Sequence, residues 1–464
     1  MDPLPISQIA GYARAEMAAG HPGQVITRLS TDSRTLRPGD LFVPLRGERF
    51  DGHNFIAQAV ARGASGALVD ERWSGDVPAS FALLRVVDTL VAYQEIAAAY
   101  RRSLPLKVIG ITGSNGKTST KDFVAAALGR RFRVTKTQGN FNNHVGLPQT
   151  ILDATSEHQV AVWEMGMNHP GEIATLAAIA QPNAGIITNI GTAHIEFMGS
   201  REAIAHEKGA LAEALEADGV MILNADDPFS DRIAQRTRAK VMFAGMHRGT
   251  LRAEGISQTS EGSQFTVLEG AHRCRTQLPV PGLHMVQNAM LAIAAARAFG
   301  LSIEEAAAGL ASTPLTKARL QLREIRGVQF LDDSYNANPD SMKAALRTLV
   351  ELETDGRRIA VLGHMAELGS ESERGHREVG ETAAALRIDH LITVGAEAAG
   401  ISQAAHAAGL EKTTHFATPA DAAELLFDLT HPGDLVLVKG SRSARTERVL
   451  EEFSKQESAI SNSP

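Results

Sequence analysis

The stretch VIGITGSNGKTSTKDFV, residues 108–124, sets an apolar run, a Gly-Ser-Asn-Gly turn and a Lys-Thr pair directly ahead of a helix-like segment. In a strand-to-helix turn, glycines let the backbone approach a ligand, and the N–H groups at the helix start present an oriented positive end to phosphate oxygens. Gly113, Ser114, Asn115 and Gly116 form that cradle, with Ser119 in the first helical turn. Lys117 can reach terminal phosphates as a point charge, and the Thr118 hydroxyl stands where a nucleotide's magnesium ion binds. The pattern therefore reads as Mg-ATP and not as a dinucleotide. The first glycine of G-x-x-x-x-G-K-[ST] would fall at 111, which is Ile111, so the actual pattern is T-G-x-x-G-K-T. The loop alone does not name the acceptor.

Working outward, 464 residues are too many for one ordinary domain, and roughly three are expected at about 100–200 residues each. With 44% hydrophobic and 21% charged residues the composition is that of a globular protein. No apolar run approaches the ~20 residues a bilayer requires, so no membrane span is expected. The start, MDPLPISQIAGYARAEM, lacks the features of a secretory signal. A single cysteine, Cys274, rules out an internal disulfide framework and fits a cytoplasmic location. A net charge of −7 and few aromatic residues argue against a nucleic-acid binder with a broad basic face.

The rhythm of the chain predicts an α/β protein of three domains. Residues 1–83 read as a small α/β unit, with the boundary near 82–88. Residues 84–313 carry the phosphate loop and the runs VAVWEM, AGIITNI and GVMILNA, the spacing of a mostly parallel sheet with crossover helices. Alternating segments between 240 and 280 predict antiparallel ribbons flanking that sheet, and Ser302 with Glu305 predicts a capping-box helix start. After the hinge-like STPLTKARL, residues 314–464 supply VQFLDDS, RIAVLGH, HLITVGA and DLVLVKG, four strands of a doubly wound domain. The tail after about 454 reads as polar and disordered.

Several groups fall at strand ends, where doubly wound sheets place ligand-binding residues. Glu164 is a candidate magnesium carboxylate and His194 a candidate imidazole ligand; each is otherwise an ordinary polar strand end. Lys208, in AIAHEKGALAEAL, reads by itself as a solvated helical lysine. TQGNFNNHVGLPQT is either a surface loop or a polar substrate lining through Asn142 and Asn143. DDSYNANPDSM gathers Asp332, Asp333, Tyr335, Asn336 and Asn338, which turn and cap chemistry alone would also explain. Lys439, Ser441, Arg442 and Arg445 form a basic cluster suited to a carboxylate or phosphate, or a solvated turn.

Taken in order, TGSNGKTST, GNFNNHVGLP, EMGMNHPGEI, TNIGTAHIE, NADDP, ARLQ, DDSYNANPDSM, VLGHMAELG and KGSRSARTERV resemble the Mur ligase family from about residue 27 to 450. The resemblance implies a UDP-substrate-binding N-terminal domain, a central P-loop-type ATPase and a C-terminal Rossmann-like domain. It implies a monomeric ligase that makes an acyl phosphate from ATP and a peptide carboxylate, with two Mg2+ ions and a carbamylated Lys208. The implied partners are UDP-N-acetylmuramoyl-tripeptide and D-alanyl-D-alanine; the alternative is a related or folylpolyglutamate-type amide ligase using another amino acid. TDSRTLRPGDLFVPLRGERFDGHNF resembles the uridine-nucleotide domain that folylpolyglutamate synthetases lack, and places Ser33 and Arg34 at the substrate.

By motif, Lys117, Glu164, His194 and Lys208 are implied as catalytic, with Thr118, Glu164, His194 and Lys208 holding metal. Asn288, Arg319 and Asp333 are implied to contact ATP, and Tyr335, Asn336, Asn338 and Ser441 the incoming dipeptide or acyl phosphate. The family's K-G-E reads Lys208-Gly209-Ala210 here, and its H-N-x-x-N reads His284-Met285-Val286-Gln287-Asn288.

Overall fold

The computed structural model describes residues 1–48, 50–314 and 316–461; Arg49, Leu315 and residues 462–464, the end of the expected tail, lie outside them. Three main sheets organise the chain. The first orders its strands Glu16–Ala19, Ala82–Val86, Gly66–Asp70, Asp40–Phe42 and Arg28–Ser30, parallel except for the first pair. A division at 83/84 falls inside the strand Ala82–Val86; the next helix, Thr89–Ser103, begins where Asp88 accepts from the Leu90 and Val91 N–H groups.

The central sheet runs, edge to edge, His272–Leu278, Gly262–Glu269, Leu251–Thr259, Lys240–Gly245, Val220–Asn224, Ala184–Ile187, Lys107–Thr112, Val160–Glu164 and Val134–Lys136. From Val134–Lys136 to Leu251–Thr259 all neighbours are parallel. Its middle strands are apolar without alternation because helices cover both faces. The alternating segments expected as flanking ribbons instead extend this same sheet in antiparallel fashion, and their alternation reflects one exposed face. Beneath the sheet, every residue from Met285 to Ala296 of the helix Leu283–Ala298 is buried, the polar Gln287 and Asn288 included, so this helix belongs to the core. The Ser302–Glu305 capping box forms as the sequence predicts.

The third sheet orders Gln321–Ile325, Val328–Asp333, Leu435–Lys439, Arg358–Gly363, His390–Val394 and Thr413–Phe416, with only the first pair antiparallel. The two edge strands escape the sequence pattern because one is largely polar and the other short. The expected disordered tail is helical instead: Glu447–Ser461 continues past residue 454, where Ser454 Oγ donates to the Leu450 carbonyl, and Phe453 anchors it. Among the described residues no helix is long and apolar enough to cross a membrane.

Phe453 meets Phe330 edge-on at 4.9 Å and Phe427 at 5.4 Å between ring centroids. Phe453→Ala should cost about 3–5 kcal/mol, read as faster amide hydrogen exchange in the strand Val328–Asp333. Phe50→Ala, at a position 61% exposed, should leave that exchange unchanged.

Candidate active site

Ile111 explains the departure from the common phosphate-loop pattern. It lies within the strand Lys107–Thr112, fully buried and in register with Glu164 on one neighbour and Ile186 on the other, so the loop begins only after Thr112. Gly113 has φ 150°, and a Cβ there would stand 1.8 Å from Thr188 Oγ1; at Gly116, φ 78°, it would stand 2.5 Å from Asn288 Oδ1. Both glycines are therefore required by close approach as well as by backbone conformation.

The loop is braced from the next strand end. Ser114 N–H donates to the Asn189 carbonyl, Asn115 N–H to Asn189 Oδ1, and Gly191 N–H to Ser114 Oγ. The NADDP motif supports this brace from beneath: Asn224 Nδ2 donates to the Thr188 carbonyl at 3.1 Å, and Asp227 Oδ2 accepts from Ile190 N–H at 2.6 Å. Helix Lys117–Leu128 starts at Gly116, with its free N–H groups aimed at the cleft.

Within the loop, Lys117 Nζ donates to the Gly113 carbonyl at 2.8 Å. Burial pushes its pKa down, the Glu164 carboxylate opposes, and Arg319 adds to the lowering. Thr118 Oγ1 donates to Glu164 Oε2 at 2.9 Å, Asn142 Nδ2 donates to Glu164 Oε1 at 2.8 Å, and Thr137 Oγ1 accepts from the Glu164 N–H. A buried carboxylate and a hydroxyl beside a phosphate loop are oxygen donors suited to Mg2+. Among the described residues no group of three or more His, Cys, Asp or Glu could enclose an ion. The donor set thus fits a partial site, completed by phosphate oxygens and water as Mg2+ prefers.

His194 sits in the left-handed region at φ 63°, its Nδ1 2.6 Å from Glu367 Oε2 of the C-terminal sheet's loops. That contact, ahead of opposing burial, holds the Glu367 carboxyl below its ordinary pKa.

Lys208 overturns its solvated reading: it is 1% exposed, and among the described residues it has no hydrogen-bond or ion-pair partner. Burial first, then Lys117, push its pKa well down against the opposing pull of Glu207. Glu207 is engaged by the Gly171 and Ile173 N–H groups. At Gly209, the second position of this motif, a Cβ would stand 1.9 Å from the Arg236 guanidinium.

A single cleft of about 1190 Å³ gathers most of the expected residues: Ser114 to Ser119, Asn142, Asn143, Glu164, His194, Asn288, Arg319, Asp333, Tyr335, Asn336, Asn338 and Ser441. Gly113 and Lys208 lie behind its wall. Ser33 and Arg34 do not line it: Ser33 Oγ donates to Gln58, and Arg34 pairs with Asp32 in the N-terminal unit. On the C-terminal side, Lys439 Nζ donates to Asp333 Oδ2 at 2.5 Å and to the Asn336 carbonyl, while the Arg319 guanidinium stacks over Tyr335 at 4.4 Å. Ser441 Oγ meets Ser443 Oγ at 3.1 Å.

Cleft residues outside the sequence-derived set include His284, Asn189, Arg201, Asp340 and Glu367. Burial drives the His284 pKa to about 4, so its imidazole is neutral. Its place in the H-N-x-x-N variant was the available signal; Asp340 and Glu367 stand within DDSYNANPDSM and VLGHMAELG, but only the folded chain shows that they face the ATPase side.

This geometry, a phosphate loop faced by a second domain's strand-end cluster, is that of an ATP-using enzyme whose site lies between two of its three domains. Models of the family match residues 25–105 ("Mur ligase family, catalytic domain"), 111–296 ("Mur ligase middle domain") and 318–442 ("Mur ligase, glutamate ligase domain"). The chain belongs to the Mur ligase family. It is 41% identical to the UDP-N-acetylmuramoyl-tripeptide–D-alanyl-D-alanine ligase of Bacillus subtilis, over 92% of this chain and 93% of that protein. It is similar to crystal structure I of MurF from Acinetobacter baumannii, with a TM-score of 0.91, 35% identity, and coverage of 98% of this chain and 99% of that one. MurF from Thermotoga maritima in complex with ADP gives a TM-score of 0.85 at 29% identity, covering 93% of this chain and 98% of that one.

The geometry separates two substitutions. Gly113→Ala should displace Thr188 and weaken ATP binding at least about tenfold by calorimetry, the scale of a lost charge-assisted contact. Ile111→Gly, which restores the common consensus, should instead lower stability by about 2–5 kcal/mol without tightening ATP.

Proposed function

We propose that the chain is an ATP-dependent ligase that joins D-alanyl-D-alanine to UDP-N-acetylmuramoyl-tripeptide, releasing ADP and phosphate. The observation that carries this reading is the shared cleft: the phosphate loop and the strand-end cluster of the C-terminal sheet line one space. ATP and the acceptor can therefore meet a single carboxylate.

In the mechanism, the tripeptide's terminal carboxylate attacks the γ-phosphorus and ADP leaves. The dipeptide amine then attacks the acyl carbon, and phosphate leaves from the tetrahedral intermediate. The helix N-terminus at Lys117 and the loop N–H groups hold the phosphates, and Lys117 exchanges its loop carbonyls for phosphate oxygens as charge builds on them. Arg319, beside Tyr335, adds a second cation from the hinge. Thr118, Glu164, His194 and a carbamylated Lys208 are the residues we assign to two Mg2+ ions. When bound, Mg2+ supplies charge neutralisation at the transferring phosphoryl group. Asn288 and Asp333 are assigned to the nucleotide. Tyr335, Asn336 and Ser441 are assigned to the acceptor side, and Ser33 and Arg34 to the uridine end. The division into three domains near 1–83, 84–313 and 314–464, with the first boundary moved past the strand Ala82–Val86, a monomeric state and a cytoplasmic location belong to the same proposal.

Carbamylation is supported by the state of Lys208. CO2 reacts with the neutral amine, and burial next to Lys117 favours that form. The carbamate would replace a buried neutral amine that has no partner by an anion next to Lys117.

Phosphate release should require ATP, the muramyl tripeptide and D-alanyl-D-alanine together; turnover driven only by single amino acids or glutamate would replace this acceptor with another. Lys117→Ala should lower kcat by about 100-fold or more. In 13C-bicarbonate, a carbamate resonance should appear in the wild type and vanish in Lys208→Ala together with activity. A wild-type spectrum without it would remove the modification.

A further inference from the structure

The C-terminal domain is fastened to the phosphate loop by side chains that the mechanism leaves unused. Asn338, assigned by motif to the acceptor side, is committed elsewhere. Its Oδ1 caps helix Pro339–Glu351 by accepting from Ser341 N–H at 3.0 Å, and its Nδ2 donates to Asn115 Oδ1 at 2.7 Å. Two residues on, Asp340 Oδ2 accepts from the Thr192 N–H at 2.9 Å and from Thr192 Oγ1 at 3.1 Å. Its carboxylate occupies space that exists only because residue 191 is glycine, since a Cβ there would stand 2.5 Å from it.

Asn115 and Thr192 belong to the two halves of one braced unit, joined through Gly191 N–H to Ser114 Oγ. The NANPD turn therefore grips both halves at once. The same turn carries Asn336, whose carbonyl accepts from Lys439, itself bound to Asp333. A short run of chain thus connects the phosphate-holding loop to the acceptor-side cluster.

We propose that Asp340 is a positioning residue: with Asn338 it latches the acceptor-side turn onto the 113–116 and 188–192 loops, and so sets the amine's approach to the acyl phosphate. Rigid placement of two reactants accounts for much of the rate of a bimolecular step. A loosened latch leaves the acyl phosphate formed but poorly attacked. Water then attacks the same acyl carbon, phosphate leaves and the carboxylate returns, so ATP is consumed without product.

This inference rests on the ligase reading, and its test separates the two. In Asp340→Ala, the ratio of phosphate released to peptide formed should rise above one, and KM for the dipeptide should rise roughly tenfold, as for two lost hydrogen bonds. KM for ATP should stay within about twofold, since the phosphate loop keeps its own brace. Asp340→Asn, which keeps an acceptor oxygen, should recover most of the coupling. Hydrogen exchange reads the latch without any substrate: the Thr192 amide should lose protection in Asp340→Ala while residues 113–116 keep theirs. If the wild type makes no product with D-alanyl-D-alanine, the ligase reading fails and exchange alone decides the latch. A protected Thr192 amide overturns it, as does a parallel fall of phosphate and product at a ratio of one.

Discussion

The carbonyl of Asn115 accepts from Thr188 Oγ1 at 2.5 Å and from Asn189 Nδ2 at 3.1 Å, and the cleft takes its shape from that pair. A loop carrying two close-approach glycines has no stiffness of its own; the conformational freedom that lets it fold around phosphates would also let it wander. The neighbouring strand end removes that freedom before any ligand arrives. The brace in turn needs Asn224 and Asp227 from the next strand, so three adjacent strand ends of a parallel sheet must lie level. Register is what the apolar runs specify, because a slip of one residue would turn Glu164 away from Thr118.

Strand ends are also where the sequence was most readable. The apolar runs ending at Thr112, Glu164 and Ile187 locate the sheet without alternation to confuse the period, and the phosphate loop, Glu164 and His194 follow from their places at those ends. Lys208 was not legible from its helix: its neighbours include Glu207 and Glu213, and only packing buries it. The family resemblance supplied what local pattern could not. Asp340 and Glu367 lie within motifs that carry the resemblance, but their partners were hidden, since these lie 148 and 173 residues away and no spacing rule links such positions. The helical tail was missed because polarity was read as disorder, although Glu, Lys, Gln and Ala favour helix once Phe453 is anchored.

Electrostatically the cleft is prepared for a polyanion. Lys121 and Lys208 are buried and Lys117 is half-buried at the cleft, and each has its pKa lowered chiefly by burial. Lys121 is held by the Thr137 carbonyl and stands 3.6 Å from Asp122. Asp122 also binds Lys136 and the Thr316 N–H and hydroxyl of the hinge. Lys117 and Lys121 thus supply the positive charge under the loop, while the counter-charge of Asp122 is shared with the hinge and the neighbouring strand, an arrangement that favours entry of phosphate groups.

Helix Leu283–Ala298 gives this chain an unequal capacity for change. It presents Asn288 to the phosphate loop while the rest of its turns fill the core, so the nucleotide half is inherited together with the hydrophobic interior. The acceptor half hangs from a hinge and a surface turn. A change at the nucleotide end would therefore have to repack the interior, whereas a change in the loops of the C-terminal sheet would not.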